Sequence, residues 1–178
     1  MGAMTVSPNA SFRAEFALPH VAKTEALARA TSLHLTAGDT VLLSGPVGAG
    51  KSLFARTIIQ SLQSVHGPVE DVPSPTFTLV QTYHAGPLEI WHVDLYRLSD
   101  ANEVLELGLT DAFATALCLI EWPDRLAHHT PQGALSVAFS LSAQPGFRKV
   151  ILSASDPKWQ KLAAIAPHSS AQPVARDA

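Results

Sequence analysis

The sequence predicts an α/β fold, and three observations point to it. A short β-branched and leucine run, Thr40–Ser44, leads directly into the glycine-rich residues 45–52, and apolar residues at helical spacing follow. Two further short apolar runs have the composition of strands buried on both faces of a sheet. Near the C-terminus, two alternating runs flank the turn at residues 144–146, which is typical of an antiparallel hairpin. Together these features predict a three-layer fold of the P-loop NTPase type, with a mixed sheet and a C-terminal antiparallel hairpin.

The composition limits the class of protein. The chain has 178 residues, of which 47% are hydrophobic and 15% charged, so a coiled coil or wholesale disorder is excluded. The net charge of −3 lacks the basic excess of a protein that holds nucleic acid unaided. One cysteine forms no disulfide within the chain, and no signal-like or bilayer-length apolar segment is found. We therefore expect a cytoplasmic protein with no membrane contact, in which any contact with RNA involves a partner.

The N-terminal half begins with a polar stretch. Residues 1–11 contain Ser, Pro and Asn without periodicity, which indicates a disordered segment or an expression remnant. Residues 16–18 alternate like a short strand, and residues 24–32 are rich in helix-forming residues. The helix that follows the glycine-rich segment is expected to end at residues 67–68, a Gly-Pro pair. The folded domain is predicted to span residues 12–156.

The C-terminal half alternates strands with one predicted helix. The expected strands are residues 78–83, 88–93, 117–120, 134–141 and 148–152. Asp100, Glu103 and Gly108 carry the start and end signals of a single short helix. Residues 157–178 are predicted to be a largely disordered tail, with at most a helical turn over residues 158–165.

The glycine-rich segment matches the phosphate-binding pattern Gly-x-x-x-x-Gly-Lys-Ser. Its glycines let backbone N–H groups surround phosphate oxygens, and the following helix N-terminus adds partial positive charge. Lys51 is expected to reach the β- and γ-phosphates, and the Ser52 hydroxyl to bind Mg²⁺. The predicted nucleotide-binding residues of this segment are Gly45, Val47, Gly48, Ala49, Gly50, Lys51, Ser52 and Leu53. Because the guanine-reading pattern Asn/Thr-Lys-x-Asp does not occur, ATP and ADP are the expected cofactors, together with Mg²⁺.

Two carboxylates follow predicted strands at the edge where α/β folds build their sites. These are Asp94 and Glu121. Mg²⁺ prefers hard oxygen ligands and the attacking water needs a positioned base. The predicted metal residues are therefore Ser52, Asp94 and Glu121, and the predicted catalytic residues are Lys51, Asp94 and Glu121. Thr76 lies in a proline-rich loop and is expected to contact Mg²⁺ or the γ-phosphate, with a plain proline turn as the alternative.

These residues resemble the TsaE (formerly YjeE) ATPases of bacterial tRNA modification. The resemblance covers roughly residues 16–152, and its motifs are residues 45–52, 74–80 (Ser-Pro-Thr-Phe-Thr-Leu-Val), 92–98 (His-Val-Asp-Leu-Tyr-Arg-Leu) and 121–123 (Glu-Trp-Pro). It implies a single ATPase domain that acts with TsaB and TsaD to make threonylcarbamoyladenosine beside the anticodon, meeting tRNA only through that complex. TsaC or a relative would supply the threonylcarbamoyl-adenylate, TsaD would transfer the group, and this protein's ATP cycle would reset the assembly.

The resemblance also adds two residues to the site. Thr24 matches a family threonine near the adenine. Arg148 matches a late Gly-Arg pair that approaches the nucleotide, although here Phe147 separates it from Gly146. The alternative for Arg148 is that it is a solvent-exposed charged residue of a strand. Trp122 follows the site glutamate, and its alternative role is to pack in the core.

Two functions remain in view from the sequence. The first is a Mg²⁺-dependent ATPase that couples energy within the tRNA-modifying assembly. The alternative is a small P-loop kinase acting on a nucleotide or small metabolite. A kinase of this size would need a basic lid, whereas Arg97 and Arg125 are isolated, so the ATPase is favoured.

Overall fold

A computed structural model describes residues 12–168, and the side chains of residues 12–165. Its strands are β1 (Phe12–Leu18), β2 (Thr40–Ser44), β3 (Val80–Ala85), β4 (Leu88–Asp94), β5 (Leu117–Glu121), β6 (Leu135–Leu141) and β7 (Arg148–Ala154). Its α-helices are α1 (Val21–Ser32), α2 (Lys51–Ser64), α3 (Glu103–Glu106) and α4 (Leu109–Thr115). Two 3₁₀ segments, Pro123–His129 and Pro157–His168, follow β5 and β7. Within the described residues, no helix is long and apolar enough to cross a bilayer.

The strands form one mixed sheet in the order β1-β7-β6-β2-β5-β4-β3. Strand β2 pairs in parallel with β5 and with β6, and β5 pairs in parallel with β4. The outer pairs β1–β7, β6–β7 and β3–β4 are antiparallel. The mixed sheet and the C-terminal hairpin predicted from the sequence are therefore confirmed.

Apolar residues of the central strand β5 alternate between two cores, which makes the fold three-layered. Leu119 packs into the cluster that contains Phe54 of α2. Cys118 and Ile120 pack into the other cluster, which contains Leu109 of α4. Cys118 is fully buried, and burial raises the pKa of its thiol to about 12. A sheet covered on both faces leaves its strand ends as the places where polar groups can collect.

Several elements begin earlier or later than predicted. Strand β1 starts at Phe12, because Phe12 and Phe16 both point into the core while β1 pairs with β7 along its whole length. Strand β3 starts at Val80, since the preceding Leu79 has a φ of 66°. The short helix predicted between Asp100 and Gly108 is confirmed as α3, whereas α4, which starts directly after Gly108 (φ of 79°), was not predicted.

The C-terminal boundary also differs from the prediction. Residues Pro157–His168, assigned from the sequence to a largely disordered tail, form a 3₁₀ segment that packs on β1 and α1. The Trp159 side chain is fully buried, and its Nε1–H donates to the carbonyl oxygen of Gly133 at 2.7 Å. The folded part therefore extends beyond residue 156. The predicted N-terminal segment of residues 1–11 and the end of the tail lie outside the described residues.

Candidate nucleotide-binding site

The glycine-rich loop joins β2 to α2 at the carboxyl edge of the parallel strands. Asp94 ends β4 and Glu121 ends β5, and the two residues are directly opposite each other in the parallel register. Glu121 is also in register with Leu43, near the end of β2. The strand ends thus bring both predicted carboxylates beside the loop, as the α/β edge rule predicts.

Three glycines of the loop, Gly45, Gly48 and Gly50, have positive φ, a conformation that other residues adopt only with strain. Gly45 has a φ of +136°, and a Cβ atom there would lie 2.6 Å from the carbonyl oxygen of Phe139 in β6. Gly50 precedes α2 with a φ of 108°. These conformations let the loop turn tightly and leave the N-terminal N–H groups of α2 available to an anion.

The Lys51 ammonium lies against the loop itself. Its Nζ donates to the carbonyl oxygens of Gly45 at 2.8 Å and Pro46 at 2.9 Å, and it lies 4.3 Å from the ring centroid of Trp122. Burial lowers the pKa of Lys51, and the nearby carboxylates of Glu121 and Asp94 act in the opposite direction. The cation is held by neutral carbonyls and a ring face, so stronger acceptors such as phosphate oxygens would compete well for it.

Glu121 connects the loop to the interior of the sheet. The Ser52 hydroxyl donates to Glu121 Oε2 at 2.9 Å, and His92 Nε2 lies 2.8 Å from Glu121 Oε1. Glu121 and His92 are both buried. Both oxygens of the carboxylate therefore have a polar neighbour, which holds its orientation at the start of α2.

Asp94 connects the strand end to the proline-rich loop. The Thr76 hydroxyl donates to Asp94 Oδ2 at 2.9 Å, and the Tyr96 backbone N–H donates to Oδ1 at 2.9 Å. The hydroxyl of Ser74 lies 2.9 Å from that of Thr76. Thr76 is thus placed at the second carboxylate, and Ser74 is linked to it through Thr76.

A cavity of about 300 Å³ opens beside the loop. It is lined by Val21, Thr24, Gly48, Gly50, Lys51, Ser52, Leu53 and Arg148. The hydroxyl of Thr24 is buried and has no hydrogen-bond partner, so it is available to a ligand. Arg148 donates from Nη2 to the Gly48 carbonyl oxygen at 3.1 Å and from Nη1 to the Gly146 carbonyl oxygen at 2.7 Å. It reaches the loop although Phe147 interrupts the Gly-Arg pair.

Two predicted loop residues are placed differently from one another. The Val47 side chain is 75% exposed at the surface of the loop. Ala49 is fully buried, and its N–H donates to the Pro46 carbonyl oxygen at 3.2 Å. Only a rearranged loop would offer that N–H to a phosphate.

Sequence reasoning assigned no role to His92 and left Trp122 open. Strand periodicity offered a signal for His92, because it lies two residues before Asp94 and therefore on the same face of β4. Trp122 adopts the left-handed conformation, with a φ of 59°, which no local pattern indicated. Its ring contacts both the Lys51 ammonium and Tyr96, whose ring centroid is 4.9 Å away.

The donor atoms fit a nucleotide with Mg²⁺. Within residues 12–168, no three His, Cys, Asp or Glu side chains group to form a metal cage. Mg²⁺ in nucleotide sites commonly takes one or two carboxylates and completes its shell with phosphate oxygens and water. Ser52, Glu121 and Asp94 carry oxygen atoms of the kind that such a site uses, and the open loop with the unpartnered Thr24 hydroxyl is compatible with a nucleotide.

Comparison with known proteins decides the family. The family model described as "Threonylcarbamoyl adenosine biosynthesis protein TsaE" matches residues 18–150. This chain belongs to the TsaE family. The match includes every predicted site residue, because Thr24 and Arg148 are the outermost of them.

Individual relatives of the TsaE family agree. The tRNA threonylcarbamoyladenosine biosynthesis protein TsaE of Rickettsia conorii is 42% identical over 106 residues, covering 60% of this chain and 59% of that protein. The Rickettsia bellii protein of the same description is 39% identical over 119 residues, covering 67% and 81%. The crystal structure of Bacillus subtilis YdiB superposes with a TM-score of 0.72 at 25% identity, covering 88% of this chain and 95% of that one. The P-loop NTPase-like fold is therefore shown by a solved structure as well as by the sheet order.

Proposed function

We propose that this chain is a Mg²⁺-dependent ATPase, and that it acts with TsaB and TsaD as the energy-coupling subunit of tRNA threonylcarbamoyladenosine synthesis. One observation carries the ATPase part of the proposal. The Ser52 hydroxyl at the start of α2 lies 2.9 Å from the carboxylate at the end of β5. This contact joins the phosphate loop to an acid at the position where nucleotide hydrolysis needs one. Membership of the TsaE family supports the role in tRNA modification.

Each part of the site has a task in this reaction. The loop N–H groups and the N-terminus of α2 bind phosphate oxygens, and Lys51 exchanges its carbonyl partners for the β- and γ-phosphates. Ser52, Glu121 and Asp94 would hold Mg²⁺, which would supply positive charge to the phosphates. Glu121 also accepts a hydrogen bond from the attacking water and orients it. Thr24 and Arg148 border the cavity that receives the rest of the nucleotide.

The link between Asp94 and Thr76 supports a subunit that reports its nucleotide state. Thr76 precedes Phe77, whose side chain is 85% exposed. Arg97 donates from Nη1 to the Phe77 carbonyl oxygen at 3.3 Å and lies 5.9 Å from its ring. A change at Asp94 would therefore reach an exposed aromatic residue that the TsaB–TsaD pair could contact. Because the net charge is −3, we expect contact with tRNA to be indirect. The proposed role in tRNA modification places the activity in the cytoplasm.

The test measures capture and hydrolysis together. The chain is presented to TsaB–TsaD with ADP, ATP or no nucleotide, and phosphate release is followed with and without the pair. We expect nucleotide-dependent capture, and hydrolysis that is slow alone and faster with the pair, because groups supplied in trans often complete P-loop sites. Phe77→Ser should weaken capture, whereas Leu33→Ser, which alters a side chain 81% exposed at the far end of α1, should not.

Two results would contradict the proposal. Fast hydrolysis by the isolated chain with no response to TsaB–TsaD would indicate an independent enzyme. Transfer of the γ-phosphate to a nucleotide or small metabolite, in place of release as inorganic phosphate, would establish the kinase alternative.

A further inference from the structure

A buried histidine, His92, contacts a site carboxylate and has no part in the proposed reaction. His92 lies in β4, opposite Leu119 of β5, and none of its surface is exposed. Its Nε2 lies 2.8 Å from Glu121 Oε1, and its Nδ1 is buried with no hydrogen-bond partner. Burying an imidazole with one ring nitrogen unbonded costs free energy of folding. Any polar role of the ring must therefore come from its single hydrogen bond, to Glu121.

The position of the ring proton follows from these contacts. An ionised carboxylate only accepts hydrogen bonds, so a contact of 2.8 Å to Oε1 needs a hydrogen on Nε2. The opposite tautomer would bury an unpartnered Nδ1–H and turn a lone pair toward the carboxylate, which is unfavourable on both counts. With Glu121 as a carboxylate, the donor in this contact is therefore His92 Nε2–H.

We propose that His92 is a positioning residue for Glu121. The inference rests on the proposed function, because it concerns the orientation of the carboxylate that directs the attacking water. Two donors hold that carboxylate: Ser52 at Oε2 and His92 at Oε1. Ser52 also lines the cavity, whereas His92 is fully buried and is not one of the cavity-lining residues. His92 is thus the donor that keeps Glu121 in place whatever the loop binds.

This role affects hydrolysis more than ATP binding. In the proposed function the phosphates bind to the loop, α2 and Lys51, whereas the side-chain hydrogen bond of His92 goes to Glu121. Loss of a partner that orients a functional group commonly costs about 10- to 100-fold in activity. Removing the His92 donor should therefore lower kcat by that factor and change ATP affinity by only a few-fold.

Three variants in the full chain, assayed with TsaB–TsaD, test this assignment. His92→Leu removes the donor, while His92→Gln keeps an N–H at similar reach from the backbone. Trp91→Phe is the control, since it removes a neighbouring buried N–H that has no partner and packs in the other core. We expect single-turnover hydrolysis to fall about 10- to 100-fold in His92→Leu, to recover substantially in His92→Gln, and to stay unchanged in Trp91→Phe. Circular dichroism and ATP titration check that each variant folds and binds.

A second readout needs no activity. In ¹⁵N-histidine-labelled protein, the His92 resonances are identified by their loss in His92→Gln. A hydrogen on Nε2 supports the contact, whereas a neutral ring with its hydrogen on Nδ1 overturns it. Wild-type-like turnover in a folded His92→Leu variant also overturns the positioning role. If the wild-type chain hydrolyses no ATP even with TsaB–TsaD, the proposed function fails and the inference fails with it.

Discussion

At the scale of single residues, Lys51 is the most constrained group of the site. Its ammonium is buried, bonded to two loop carbonyl oxygens and packed on the Trp122 ring. Burial lowers its pKa, and only the attraction of Glu121 and Asp94 opposes this. The positive charge of Lys51, which is proposed to bind phosphate, is therefore lost at a lower pH than that of an exposed lysine.

This environment predicts how ATP affinity depends on pH. A lowered pKa means that Lys51 loses its proton at a lower pH than an exposed lysine does. ATP affinity should therefore fall as the pH rises toward the alkaline range, because only the ammonium attracts phosphate. Calorimetric titration over this range measures it, with Lys51→Ala as the control. That variant should bind about tenfold or more weakly at neutral pH and lack the alkaline loss. Constant wild-type affinity up to the pH where exposed lysines titrate would contradict this.

The two carboxylates should respond differently to neutralisation. Glu121→Gln keeps the size of the side chain but removes the charge, so we expect it to retain ATP affinity and lose most turnover. Asp94→Asn should reduce the Mg²⁺ dependence of ATP binding, because Asp94 is a proposed Mg²⁺ ligand. It should also lower turnover, because Asp94 holds the Thr76 hydroxyl. Single-turnover hydrolysis and ATP titrations with and without Mg²⁺ separate the two effects. Near-wild-type turnover in Glu121→Gln would leave Glu121 as a structural acid at a strand end.

At the scale of secondary-structure elements, the end of β2 lies closely against β6. The space at Gly45 is closed by the backbone of Phe139, whereas nothing lies within 4 Å of a Cβ atom at Gly48. Both glycines have positive φ, of +136° and +76°. Both positions therefore need a positive φ, but only at Gly45 would a Cβ atom collide with a neighbouring strand.

The pair gives a matched test of that crowding. Gly48→Ala should lower the free energy of unfolding of the nucleotide-free chain by about 1–2 kcal/mol, the cost of a positive φ. Gly45→Ala should lower it by about 3 kcal/mol or more, because overpacking adds to that cost. Urea unfolding monitored by circular dichroism measures both. Equal losses would show that β6 moves away easily from the loop.

The elements that the sequence predicted best are those with local signals. Strand β2, the phosphate loop and α2 follow from periodicity and glycine spacing, and the strand ends that carry Asp94 and Glu121 follow from short apolar runs. Helix α3 was predicted from its end signals, and α4 was missed because Gly108 was taken as a stop signal although it is equally a start signal. The contact between His92 and Glu121 depends on the register between β4 and β5, and the contacts of the Trp122 ring depend on a rare backbone conformation. Neither property is encoded in neighbouring residues.

At the scale of the whole molecule, the C-terminal segment closes one face of the fold. Trp159 is fully buried there, and Lys158 Nζ lies 2.9 Å from Oδ1 of the buried Asp39. The small and polar residues that follow this segment along the chain concealed its role from sequence reasoning, because a tryptophan anchors by tertiary packing.

Removing this anchor should destabilise the entire domain. Trp159→Ala should lower the free energy of unfolding by about 3–5 kcal/mol, as for other buried aromatic residues. Trp159→Phe keeps most of the apolar contact and loses the hydrogen bond to Gly133, so a loss of about 1–2 kcal/mol is expected. Denaturant unfolding monitored by far-ultraviolet circular dichroism measures both. A loss below about 1 kcal/mol in Trp159→Ala would mean that the segment only rests on the domain.

The buried thiol of Cys118 has a consequence for following motions of the central sheet. It is the one cysteine in the chain, its surface is fully covered, and a pKa of about 12 leaves almost no thiolate at neutral pH. A covalent thiol reagent can then react only during moments when β5 separates from its neighbours. The labelling rate therefore measures how often the strand that ends in Glu121 separates from its neighbours. Bound ATP with Mg²⁺ should slow labelling, because a ligand that binds the closed state lowers the population of the open one.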